Sequence, residues 1–118
     1  MLFRSFKEAG LVEKAIPYWL SAGRRAAGQS ANTEAIAHFR SGLECIQALP
    51  AGTSRSQLEL SLQLALGGPL IATKGYASQE VEAAYRRAVD LSRELQTEPN
   101  LFTALAGLIY VQIGRAHV

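Results

Sequence analysis

Cysteine is almost missing from this chain. Cys45 is the one thiol in 118 residues, so no internal disulfide framework can form and nothing points to an oxidising compartment. A cytoplasmic setting is the resulting expectation. A surplus of one charge sign is missing too: twelve Lys and Arg stand against ten Asp and Glu, for a formal charge of +2. That is too little to neutralise a run of nucleic-acid phosphates. The basic doublets Arg24-Arg25 and Arg86-Arg87 lie beside apolar positions at helical spacing and read as solvated outer faces. No nucleic-acid partner is expected.

Long hydrophobic runs are also absent. The tract from Leu58 to Thr73 is broken by Glu59, Gln63 and Gly67-Gly68-Pro69 and falls short of the ~20 apolar residues that span a bilayer. Charge enters the Met1-Leu2-Phe3-Arg4-Ser5-Phe6-Lys7 start too early for a signal peptide. Neither a membrane partner nor export is expected. No Gly-x-x-x-x-Gly-Lys-Ser/Thr run occurs, and Gly67-Gly68-Pro69-Leu70 lacks the lysine and hydroxyl of a phosphate cradle. His38 and Cys45 share a helix face two turns apart, about 10 Å at 1.5 Å per residue, which is too far for a nucleophile and its base. Glu80 and Glu82 point to different faces of one helix, and Glu94 and Glu98 are spaced along a surface. The expectation is a segment that is not an enzyme, with no catalytic residues, no cofactor and no metal.

What is present is helical pattern. Hydrophobic residues make up 48% and charged residues 19%, as in a folded soluble chain. Val12, Ile16, Trp19, Leu20, Gly23 and Ala27 recur at helical spacing, and Pro17 predicts a kink or a late start in that helix. Gly28 to Asn32 supplies a stop, followed by Ser30 or Asn32 as a cap; Ile36, Phe39, Leu43 and Ile46 then mark a second stripe. Ser54-Arg55-Ser56-Gln57 fits a capping box for a third helix. Its leucines at 58, 60, 62, 64 and 66 also alternate as in a strand. Helix-favouring residues around them decide for helix, with a bend at Gly67-Gly68-Pro69. Ser78 caps a fourth helix striped by Val81, Tyr85, Ala88, Leu91 and Leu95, and Pro99 opens a fifth from Leu101 to Gln112 that is apolar on nearly every side. Such a helix wants neighbours, so self-association of the isolated chain is expected.

Trp19-Leu20-Ser21-Ala22-Gly23 followed by Ala35-Ile36-Ala37-His38-Phe39 resembles a tetratricopeptide repeat: an aromatic, a glycine four residues on, then a small residue and an aromatic four apart. Gly23 and Ala35 would let two helices approach while Trp19 and Phe39 fill the flanks. Tyr85-Arg86-Arg87-Ala88 echoes the second half of such a unit, and Ala106-Gly107-Leu108-Ile109-Tyr110 the first helix of another. Ala22, Ala26 and Gly42 depart from the pattern, and Tyr85 follows Phe39 by more than the ~34-residue period. The fold expected is all-α: about five helices in antiparallel hairpins, stacked as a tetratricopeptide-like superhelical array. In that array Trp19, Gly23, Ala35, Phe39, Tyr85, Ala88, Gly107 and Tyr110 pack the repeats, and Leu20 and Arg24 face a partner groove.

The runs Glu8-Ala9-Gly10-Leu11-Val12-Glu13-Lys14-Ala15-Ile16-Pro17-Tyr18-Trp19, Asn32-Thr33-Glu34-Ala35-Ile36-Ala37-His38 and Ala72-Thr73-Lys74-Gly75-Tyr76 resemble the C-terminal helical region of bacterial adenylate/guanylate cyclase-like proteins that carry a P-loop ATPase module. Similar regions accompany ATPase-type transcriptional regulators. The resemblance implies that cyclase and ATPase modules precede this segment. Its own role would be a signalling scaffold that contacts a protein, a peptide or other domains of the same parent chain. A regulatory arm of a transcriptional regulator and a free-standing helical adaptor are the alternatives. Ile113-Gly114-Arg115-Ala116-His117-Val118 is similar to the translation of a sequencing-library adapter. Residues 1–112 are therefore expected to be a repeat segment of a larger protein, and 113–118 a non-native tail.

Overall fold

A computed structural model describes residues 6–116, with side-chain surroundings from Gly10 onward. Met1 to Ser5, and His117 and Val118 of the expected tail, lie outside the described residues. Five helices follow one another: α1 (Phe6–Gly28), α2 (Asn32–Gln47), α3 (Thr53–Lys74), α4 (Gln79–Leu95) and α5 (Glu98–Ala116). No strand occurs among the described residues. The alternating leucines are helical, with Leu60, Leu62, Leu66 and Leu70 buried on α3. The chain is thus all-α, as its pattern predicts.

Two prolines sit inside helices without ending them. Pro17 lies on the exposed side of α1, beside exposed Glu13, where water can take the carbonyl that its missing N–H leaves free. In α3 the Gly67-Gly68-Pro69 run lies inside the helix, which continues to Lys74. Gly68 has no Cβ to clash with the following proline ring, which favours helical geometry at that step.

The helix ends differ from the caps that the sequence suggests. Ser30 adopts φ 59°, and the Ala31 and Ser30 amides bond back to the carbonyls of Ala26 (2.9 Å) and Ala27 (3.0 Å), closing α1 in a Schellman turn. The residue before α2 is therefore Ala31, which makes no side-chain cap. Gln96 repeats the device at φ 55°: its amide and that of Thr97 bond to Arg93 and Ser92 carbonyls. Gly52, rather than the Ser54–Gln57 box, precedes α3, again without a side-chain cap. Ser78 does cap α4, accepting from the Glu80 amide at 3.1 Å.

Each helix packs on the next. Beyond these neighbours, α1 meets α3 and α3 meets α5, but no Cα of α2 lies within 8 Å of one in α4, nor of α1 near α4 or α5. The body measures 51 × 31 × 24 Å. Ile16, Phe39, Ile46, Leu62 and Leu70 centre one apolar cluster; Leu60, Ala88, Leu91 and Ala104 form a second toward α5. Close approach rests on missing side chains. A Cβ on Gly23 would meet the Phe39 ring, and a Cβ on Gly67 or Gly107 would meet the Tyr85 ring from either side, all inside 3.0 Å.

Overpacking of such sites costs roughly 1–3 kcal/mol. Gly67→Ala and Gly107→Ala should each lose that much in urea unfolding. Gln96→Gly, by relieving a left-handed non-glycine, should gain up to about 1 kcal/mol. Equal midpoints for the three variants would contradict this packing.

Candidate functional site

The side of the molecule shared by α1, α3 and α5 is open. A cleft of about 390 Å³ lies there, lined by Arg24 and Ala27 of α1, Phe39 of α2, Leu60, Ser61, Leu64 and Ala65 of α3, and Asn100 of α5. A second hollow of about 290 Å³ shares Leu60, Ser61 and Asn100 and extends to Gln57, Leu95 and Thr97. The exposed strip of α3 has no charge: Gln57, Ser61, Leu64, Gly68 and Ala72 follow one another at helical spacing. Arg24 is the cation in the lining, and it joins no ion pair among the described residues. Asn100, a lining residue of both hollows, donates to Thr97 Oγ1 at 3.2 Å, and its amide oxygen retains acceptor capacity.

The charges gather elsewhere, where they tie helices together. Glu59 on α3 is 7% exposed and receives two hydrogen bonds from the Arg87 guanidinium on α4, at 2.7 and 2.9 Å. Arg86 and Arg87 are both exposed, as expected of an outer face, but Arg86 pairs with Glu82 along α4 while Arg87 reaches across to α3. Glu80 draws in Arg40 of α2 and Lys74 of α3, and Glu82 also takes Arg115 of α5 at 2.9 Å. Hydrogen bonding by Arg87 holds the Glu59 carboxyl below the ordinary glutamate value against the opposing effect of burial. Lys74 and then Arg40 lower Glu80, and Arg115 and then Arg86 lower Glu82. Burial raises the Tyr85 phenol.

No family model matches this chain, and no solved structure does. It is similar to an uncharacterized protein of Rhizobium meliloti, 32% identical over 87 residues that make up 74% of this chain but 8% of that protein. The chain therefore spans a small fraction of the length of the relative it matches.

The residues singled out from the sequence fall into three groups. Arg24 lines the cleft, while Leu20 is half-buried against the first apolar cluster. Gly23, Ala35, Phe39, Ala88 and Gly107 are buried between helices, with Tyr85 half-buried among them. Trp19 is half-buried and stacks on His38 with ring centres 5.6 Å apart, and Tyr110 is 56% exposed, its ring 5.7 Å from that of Tyr76. The sequence reading missed Gly67, taken as part of a bend, and the Glu59–Arg87 pair. Gly67 could have been found as a second glycine facing a second aromatic, since Gly67 and Tyr85 repeat the relation of Gly23 and Phe39. Among the described residues no group of three His, Cys, Asp or Glu could hold a metal, and no helix is long and apolar enough to cross a membrane.

Because hydrogen bonding by Arg87 holds the folded Glu59 carboxyl below its unfolded value, its contribution is present at neutral pH and is lost as pH falls through the ordinary glutamate range and on through the lower folded value. The Arg87 side chain is 47% exposed, so water screens the pair and Glu59→Gln should cost about 1–2 kcal/mol at neutral pH. Its stability should also decline less steeply in acid than that of the parent chain. Parallel urea titrations at neutral and acid pH test this; identical slopes would remove Glu59 as the titrating group.

Proposed function

We propose that this chain is a tetratricopeptide-like scaffold segment, itself without catalysis, that holds a protein, a peptide or a neighbouring domain within a larger bacterial signalling protein bearing nucleotide cyclase and P-loop ATPase modules. Its place of action is the cytoplasm. The observation that carries the reading is the open α1–α3–α5 cleft, whose lining is uncharged except for Arg24, a residue in no ion pair among the described residues. Apolar floor residues and neutral hydrogen-bonding groups at its rim suit a polypeptide, whose backbone amides need partners once they leave water.

Three features support an array over a closed bundle. The central helix α3 meets both α1 and α5, α2 and α4 touch through the Arg40–Glu80 side chains without backbone approach, and α1 does not return to α4 or α5, whereas a closed bundle brings its first and last helices together. Phe39 on Gly23 and Tyr85 on Gly67 repeat one contact in successive hairpins. The relative is more than ten times as long as the stretch it shares with this chain, which suits a module built into a larger protein.

A photo-crosslinking residue at Ser61 in the full-length parent, followed by mass spectrometry, tests the reading. It should join the cleft to another domain of the parent or to a second protein, while the same probe at Asp90 on the outer side of α4 should not. Arg24→Glu should cut the Ser61 product about tenfold, the loss expected when one charge-assisted hydrogen bond of roughly 1.5 kcal/mol goes. ATP, GTP and cyclic nucleotides should leave the melting temperature of the isolated segment unchanged. Equal labelling at Ser61 and Asp90 would sink the cleft, and stabilisation by a nucleotide would overturn the non-catalytic reading.

A further inference from the structure

The five helices fall into two bodies, each locked by a ring on bare glycine. Phe39 on Gly23 joins α1 to α2, and Tyr85 between Gly67 and Gly107 joins α3, α4 and α5. Neither body can shear without giving up that close packing. Between the bodies the tie is lighter: Leu62 of α3 lies against Gly42 of α2, and α1 rests on α3. Among the described residues, the pairs of Glu59 with Arg87, of Glu80 with Lys74, and of Glu82 with Arg86 and Arg115 stay inside the second body. Arg40–Glu80 is the ion pair that crosses, from α2 to α4.

The crossing pair and the cleft lie on opposite sides of α3. A hollow of about 210 Å³ at the pair is lined by Arg40, by Glu80 and by Gln63, Leu66 and Leu70 of α3. The cleft takes Ser61, Leu64 and Ala65 of the same helix. At 3.6 residues per turn, these two sets of three point half a turn apart. The cleft also lies between the bodies: Arg24, Ala27 and Phe39 come from the first, its α3 residues and Asn100 from the second.

We infer that the Arg40–Glu80 pair is a strap that holds the cleft open, with α3 as the fulcrum. Drawing α2 toward α4 behind α3 swings α1 away from α5 in front of it, since each front helix is locked to its back neighbour. Releasing the strap lets the apolar lining, Phe39, Leu60, Leu64 and Ala65, pull the front together and shed water. No backbone contact between α2 and α4, or between α1 and α5, blocks the swing.

One end of the strap is fixed. Ser78 accepts from the Glu80 amide at 3.1 Å, and Lys74 holds Glu80 Oε1 at 3.1 Å. Arg40 is therefore the end that lets go. The two side chains are 50% and 43% exposed, so salt screens them, and a pair of this kind shifts a two-state balance by at most about fivefold. The strap thus tunes the width of the cleft without locking it. That this regulates binding rests on the cleft being the site proposed above.

Spin labels at Ser21→Cys of α1 and Thr103→Cys of α5, both exposed positions, span the cleft in a Cys45→Ala background of the 118-residue chain. Pulsed electron resonance reads their separation. Glu80→Gln and Arg40→Gln should each move the population toward the shorter distance by up to about fivefold, and about 1 M salt should do the same to the parent. Lys74→Gln removes a pair from the same carboxylate but inside one body, and should change nothing. In that Lys74→Gln background, the swapped pair Arg40→Glu with Glu80→Arg should restore the wide form. Labels at Asp90→Cys and Thr103→Cys, both in the second body, should keep one distance throughout. An unchanged or longer separation in Glu80→Gln overturns the strap, as does an equal change in Lys74→Gln or a moving control distance. Cross-linking at Ser61 reports the occupant independently. A cleft that narrows but gives no Ser61 product keeps the strap and loses its binding role, whereas a Ser61 product with a fixed separation removes the strap alone.

Discussion

Everything in this molecule is organised by the need to seat an aromatic ring where a neighbouring helix has no side chain. Phe39 lies over Gly23, and Tyr85 is held between Gly67 and Gly107. Because a Cβ at any of these glycines would fall within 3.0 Å of a ring carbon or oxygen, the helix spacing and the glycines require one another. Helices brought this near bury their small residues completely: Ala35, Ala88 and Ala104 are all 0% exposed. A larger residue at those positions would push the helices apart and reopen the contacts that the rings fill.

The ionic groups belong to a different layer of design. Glu59, Glu80 and Glu82 each reach from one helix to a cation on another, and together they stitch α2, α3, α4 and α5. Most of these pairs are half-exposed and weak one by one. Their value lies in direction, since each fixes one rotation of a helix about its axis, and the uncharged strip of α3 is then left to face the cleft.

Much of the helical order was legible in the sequence, because stripe spacing is a local property. Ile16, Gly23, Phe39, Ile46, Val81, Ala88 and Leu91 stand where the pattern puts them. The exposed character of α5 was legible as well, as a helix with more apolar faces than neighbours. What escaped depended on residues far apart in the chain or on backbone angles. Glu59 looked like an interruption of an apolar run because Arg87 lies 28 residues away. Gly67 looked like a breaker because only Tyr85 of the next helix gives it a purpose. Ser30 and Gln96 gave no sign of being left-handed turn residues, since neither is glycine or asparagine. Of the two residues expected to face a groove, Arg24 lines the cleft, and Leu20, four residues earlier on the same helix, is half-buried against the first apolar cluster.

The pattern of contacts between sequential helices has a consequence for how the molecule comes into being. A helix that needs only its immediate predecessors can find them while the rest of the chain is still unmade, so the α1–α2 hairpin can close before α4 has left the ribosome. Assembly then proceeds by accretion from the amino end, and each added helix covers the apolar side that the last one presented.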